Sequence, residues 1–223
     1  MKRLSILVAS MALAASAQAA VVSYMSQYGL PVVQSTTEID QTGLLNRFDT
    51  SLGILNSAVL EIFGAATTTI TLTNNAAQAQ SARATSFVNL AWSSLNASID
   101  AVLVNDIAIN FTTGAALSYA VGQTRTFGPL TDNGTFLYNL GGAALAAVQG
   151  PGSYDIRCVS ESGITTIGGG GNVASSQRTQ AGCGAKVTYT YTERVTQVPE
   201  PTSLALVGLA LAAAGFVASR RKV

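Results

Sequence analysis

The chain has 223 residues, 10% of them charged and 48% hydrophobic, with a formal net charge of +1 and no histidine. The missing histidine excludes Ser-His-Asp and Cys-His catalysis and removes the commonest zinc ligand, and two cysteines cannot build a structural zinc site alone. Sparse, unclustered arginines argue against nucleic acid or an anionic membrane as a partner.

In chain order, Lys2 and Arg3 precede an apolar stretch from Leu4 to Ala15, which is followed by Ala17-Gln18-Ala19. A cationic start, a short apolar region and a small-residue site predict a secretory signal peptide over residues 1–19, cleaved between Ala19 and Ala20. The remaining body, residues 20–196, is long enough for one domain with its own core. Without the basic residues of the two ends it keeps 7 cations and 10 acids, near −3. Its abundant Thr, Ser, Asn, Gln and Gly predict an extracellular surface made soluble by neutral polar groups.

Strand periodicity dominates this body. Thr67–Thr73 places Ile70 and Leu72 on one face and threonines on the other; at Lys186–Val195, Val187, Tyr189 and Tyr191 alternate with Thr188, Thr190 and Thr192. Further strands are expected at residues 20–28, 32–39, 55–63, 85–92, 100–111, 117–127 and 153–160. The turn signals between them are Tyr28-Gly29-Leu30-Pro31, Thr73-Asn74-Asn75, Gly128-Pro129, Asp132-Asn133-Gly134 and Gly150-Pro151-Gly152. Eight to ten short strands at this spacing predict an all-β fold, a β-sandwich of two antiparallel sheets. Residues 136–148 read as loop plus strand, because Gly141 and Gly142 would cost a helix there about 2 kcal/mol against alanines.

Near the front of the body, Phe48-Asp49-Thr50-Ser51-Leu52-Gly53-Ile54-Leu55 stands before a strand. An Asp at this position accepts from backbone donors in a tight turn, Gly53 is free to take φ > 0, and Phe48, Leu52 and Leu55 are candidates for the core. A lone Asp49 supplies one of the 6 to 8 oxygens that calcium takes, so turn chemistry is the reading for it. Over residues 42–73 the segment resembles the choice-of-anchor E family, with Thr50 and Ile54 standing where that family carries Pro and Thr. The resemblance implies a β-rich extracellular domain and no catalytic residues.

The chemistry is thin. Gly168–Gly171 is followed by Asn-Val-Ala and lacks the Gly-Lys-Ser/Thr of a nucleotide loop. Cys158 and Cys183, an even count in an exported chain, are expected to form a disulfide that staples a long glycine-rich loop at its base; two free thiols or an intermolecular bridge are the alternatives. Asp100 and Asp106 would share one strand face about 20 Å apart, too far for glycosidase carboxyls. Trp92, Tyr189 and Tyr191 are candidates either for sugar stacking or for core packing. No cofactor or metal site is expected.

The last 27 residues read in three parts: Val198-Pro199-Glu200-Pro201, an uncharged apolar run at 204–218, and Arg220-Arg221-Lys222. The prolines hold the first part extended and out of any helix. The 15-residue run rises only about 22 Å as a helix, so a transmembrane helix over 203–219 needs its flanking serines and some bilayer thinning to match a ~30 Å core. The three cations then act as a stop-transfer signal favouring the cytoplasmic side. Residues 197–223 thus resemble the PEP-CTERM sorting signal of Gram-negative exported proteins, and the resemblance implies an exosortase-type enzyme as partner and processing at the Pro-Glu-Pro segment. The expected protein is non-enzymatic. It passes through the inner membrane to the cell surface or extracellular matrix, where it has a structural or adhesive role with exopolysaccharide in a biofilm. The alternative is a carbohydrate-binding module.

Overall fold

Alternation of apolar and hydroxyl residues produces strands longer than the turn signals predict. The computed structural model describes residues 20–194 together with Gly208, Leu209 and Leu211. The expected signal peptide at 1–19, and the tail apart from those three helical residues, lie outside the described residues. In order, the elements are β1 (Val21–Tyr28), β2 (Ser35–Thr36), β3 (Asp40–Asn46), β4 (Gly53–Asn74), β5 (Gln80–Ser93), α1 (Ala97–Asp100), β6 (Ile107–Thr112), β7 (Leu117–Tyr119), β8 (Thr124–Leu140), α2 (Gly142–Ala147), β9 (Ser153–Gly168) and β10 (Val173–Glu193). Residues Val21–Thr192 form one compact unit.

Two five-stranded sheets build that unit. One has the order β1-β10-β4-β8 with β2 also pairing to β10; the other has β3-β9-β5-β6 with β7 pairing to β5. The pairs β1/β10, β4/β8, β3/β9, β5/β9, β5/β6 and β5/β7 are antiparallel. Along β4 and β10, Asn56 meets Thr192, Glu61 meets Lys186 and Thr68 meets Thr179, an opposite order that marks these strands as antiparallel too. This is the predicted two-sheet, all-β architecture.

Several expected boundaries move. The two strands expected at 55–63 and 67–73 are one 22-residue strand, β4, because Ala65 and Ala66 continue its inward and outward alternation. The expected turn Asp132-Asn133-Gly134 runs straight through β8, paired with Ala66, Ala65 and Gly64 of β4; an edge strand with one neighbour tolerates turn-forming residues. Gly128-Pro129 marks a register shift in the same ladder rather than a chain reversal. Of the expected strand at 32–39 only Ser35 and Thr36 pair, with Ala181 and Gln180.

Residues 100–106 are not strand: Asn96 caps α1 through its side-chain oxygen, which accepts from Ser98 N and Ile99 N, and β6 begins only at Ile107. The segment expected to be loop plus strand holds helix α2 instead. Gly141 is its N-cap and Gly142 its first residue, so neither glycine occupies an interior position where the propensity cost applies. Gly53 does not adopt positive φ, and Leu52 stands 42% exposed instead of entering the core.

The core between the sheets has two parts. The larger gathers Phe48, Leu60, Ile62, Leu90, Trp92, Ile99, Ile156, Tyr189 and the cysteines; the smaller gathers Ile70, Leu72, Ala82, Ala84, Tyr119 and Val173.

Candidate functional site

The disulfide connects the two sheets. Cys158 lies in β9 between Gln41 of β3 and Trp92 of β5, and Cys183 lies in β10; their Cα atoms are 6.4 Å apart and both residues are buried. The bond forms as expected, but it does not staple a loop. The chain between the cysteines is two strands that leave one sheet and enter the other across a short 3-10 turn at Gly169–Gly171.

Beside Cys183 a cleft of about 440 Å³ is lined by Tyr28, Gly29, Val33, Asp40, Gln41, Thr42 and Cys183. Gln41 Oε1 accepts from Cys183 N at 3.1 Å, which ties β3 across the sandwich to β10. Asp40 takes both Arg157 Nε and Nη2, at 2.8 and 2.6 Å, and that hydrogen-bonded guanidinium holds its carboxyl below the usual range. Gly43 lets β3 approach β1, since a Cβ there would clash with the Tyr28 ring. Burial pushes the Tyr28 hydroxyl up to about 12. The sequence held no signal for this cleft, because its walls come from strands that become neighbours only in the sandwich.

On the outer face of the other sheet, threonines pair across strands: Thr67 with Thr131, Thr71 with Thr126, and Thr73 with Thr124, at 3.1, 3.1 and 2.9 Å. A groove of about 500 Å³ lies next to them, lined by Thr69, Thr71, Ser176, Gln177 and Arg178. Sequence alternation identified the β4 threonines as an outward row, while their β8 partners depended on a register that no local pattern reveals.

The aromatics proposed for sugar stacking are core residues. Trp92, Tyr189 and Tyr191 are buried, and Phe48 packs on Tyr189 and Tyr191 with ring centroids 5.8 and 5.0 Å apart. Tyr189 Oη donates to Asn46 O at 2.7 Å, and burial raises its pKa to about 12. Asp49 makes the expected turn, accepting from Ser51 N at 2.8 Å through its side chain and from Leu52 N at 3.1 Å through its carbonyl. The Ser51 hydrogen bond holds its carboxyl below the usual range.

Asp100 and Asp106 do not share a strand face. Asp100 accepts from Ser94 N beside α1, and Asp106 accepts from Asn89 Nδ2 ahead of β6. Among the described residues, no group of three or more His, Cys, Asp or Glu is placed to hold a metal, and no helix is long and apolar enough to cross a membrane.

At the end of the fold, Ala20 O accepts from Glu193 N at 3.0 Å, so the predicted mature N-terminus and the start of the tail lie together. From there the chain runs into Val198, Pro199, Glu200 and Pro201 and on to Arg220, Arg221 and Lys222, all outside the described residues. Residues 197–222 match the PEP-CTERM protein-sorting motif. The sorting motif makes this an exported protein whose C-terminus is a signal for an exosortase-type enzyme, with membrane transit followed by surface display.

The match stops at the motif, and no comparison supports the choice-of-anchor E resemblance expected at 42–73. No curated protein matches the chain. A chain of the T13 particle of infectious bursal disease virus is similar at 9% identity and a TM-score of 0.16, covering 87% of this chain and 47% of that one. One from the Gx strain of that virus has 15% identity and a TM-score of 0.15, covering 81% and 34%. This chain spans less than half the length of either viral chain, and TM-scores this low describe no shared fold.

Proposed function

We propose that this is a non-enzymatic surface protein of a Gram-negative cell, a disulfide-linked β-sandwich that an exosortase releases from its C-terminal membrane helix, and that acts structurally or adhesively in exopolysaccharide or biofilm. The observation that carries the reading is the sorting motif at 197–222 directly behind a strand that ends at Glu193. Supporting it, the described residues form a two-sheet domain with an inter-sheet disulfide, which suits an oxidising extracytoplasmic compartment. The choice-of-anchor E resemblance adds a β-rich extracellular domain as its expected architecture.

The test is the intact mass of the protein recovered from the surface fraction of its host. A C-terminus near Pro199–Pro201 is the expected result. Recovery with Leu204–Val223 still attached would make the protein a permanently anchored one and remove exosortase processing from the reading.

A second reading, carbohydrate binding, moves from the buried Trp92 to the groove at Thr69, Thr71, Ser176, Gln177 and Arg178, whose hydroxyls and guanidinium face solvent without an aromatic platform. A glycan array separates the two readings: binding that is lost in Arg178→Ala supports the second, and an intact fold that binds nothing removes it.

A further inference from the structure

We infer that the end of the sandwich from which the tail leaves docks on the lipid bilayer through a collar of exposed aliphatic side chains: Val21, Leu44, Leu52, Ile54 and Leu95. The inference rests on the reading of residues 203–219 as a membrane anchor before processing.

The collar is assembled from both sheets. Val21 is the register partner of Thr192, and Asn56 Nδ2, two residues beyond Ile54, donates to the Thr192 hydroxyl at 2.8 Å. In the other sheet Leu44 is the register partner of Asp155, whose carboxylate also accepts from Leu95 N at 3.0 Å. Phe48 packs on Tyr191 between the sheets at this end, and the turn after it carries Leu52. The five side chains are 67, 62, 42, 68 and 93% exposed, respectively.

Two of them are held outward by built loops. Asp155 fixes the backbone at Leu95, and Asp49 fixes the turn at Ser51 and Leu52, so neither leucine is free to fold back onto the domain. Both carboxylates are engaged with backbone donors, and the cations at this end, Arg47 and the exposed Arg194, stand beside Asp49, Asp155 and Glu193, so the collar offers apolar contact with no excess of positive charge to recruit anionic lipid. The matching surface is a zwitterionic interface that admits aliphatic side chains to a depth of about 5–10 Å.

The chain length outside the fold selects the bilayer as the occupant. Eight residues separate Arg194 from Ser203, a reach of at most about 28 Å, and two of the eight are prolines. The 21 residues of β10, by contrast, extend roughly 70 Å from this end toward Gly169–Gly171. So short a tether keeps the collar close to the membrane and leaves the glycine turn distal. While the tail is attached, docking would present Pro199-Glu200-Pro201 at the surface where a membrane-embedded enzyme works.

The experiment uses the full chain in phosphatidylcholine vesicles with brominated acyl chains, carrying Leu95→Trp, Ile54→Trp or, at the distal end, Val121→Trp; the native Trp92 is buried in all three. Co-flotation with the vesicles and about twofold or greater quenching of the first two indoles, with the Val121→Trp indole unchanged, is the expected result. Co-flotation with no quenching at either collar site would overturn the docking and leave the anchor intact. Failure to co-float would overturn the anchor and the docking with it. Shielding of the collar indoles from acrylamide in host membranes but not in lipid vesicles would assign the collar to a membrane protein and overturn the lipid assignment.

Discussion

The two ends of the sandwich hold together by different means. Around β1, the end of β10 and the start of β4, large aromatics close the gap between sheets: Phe48 against Tyr189 and Tyr191, and Tyr24 stacked on Tyr189 at 5.9 Å with an 8° tilt. Toward Asn74 and Gly169 the core thins to Ile70, Leu72, Ala82, Ala84, Tyr119 and Val173, and paired threonine hydroxyls run along the outer face. Tight packing of large rings contributes far more per residue than exposed hydroxyl pairs. Stability is therefore concentrated at the end that bears the tail.

The largest expected effect tests that asymmetry directly. Leu60→Ala in the larger core should cost toward the upper part of a range of about 2–5 kcal/mol in urea unfolding, while the same deletion in the distal core, Leu72→Ala, should cost toward its lower part. Equal losses would abolish the distinction.

Next comes the disulfide, which joins the sheets between these two regions. Replacing Cys158 and Cys183 together by alanine should cost about 2–5 kcal/mol, since reopening a closure of 25 residues restores chain entropy to the unfolded state. A thermal melt of the double variant that superimposes on wild type would show that packing alone fastens the sheets.

The stretch from the tail-proximal end to the disulfide should also respond to alkali. Tyr28 and Tyr189 are raised to about 12 and Tyr154 is raised as well, burial being the first cause in each case. A folded pKa above the unfolded value of ~10 means that the folded state keeps protons the unfolded state loses. Their contribution is complete below pH 10 and is lost as pH rises toward 12. Part of the tyrosinate absorbance should therefore appear only together with the loss of near-ultraviolet dichroism; ionisation of all seven tyrosines by pH 10 in a still-folded protein would contradict the burial.

The smallest effect belongs to the hydroxyl pairs. Thr71→Val should change stability by about 0.2–1 kcal/mol, because its partner Thr126 remains open to water. A larger loss would give the outer face a structural part that its exposure does not suggest.

The sorting motif was fully legible in the linear chain, as was the alternation that fixes Val187, Tyr189 and Tyr191 inward. Both depend on local composition: two prolines and a run of cations in the first case, a two-residue period in the second. Helix α2 was missed because a glycine counted as interior is costly while one at a cap is not, and the cap position is set by where β8 ends. The course of β8 through Asp132-Asn133-Gly134 was missed because its long neighbour β4 supplies pairing that outweighs local turn preference.

By itself the sequence determined an all-β body, a C-terminal sorting motif and an even pair of cysteines, since each of these is written in composition and short-range pattern. Tertiary structure alone decided that the cysteines bridge opposite sheets, that Trp92 is core rather than a sugar platform, and that five aliphatic residues from four segments of the chain share one end. Those outcomes depend on strand register and sheet order, which bring together residues that no local pattern connects.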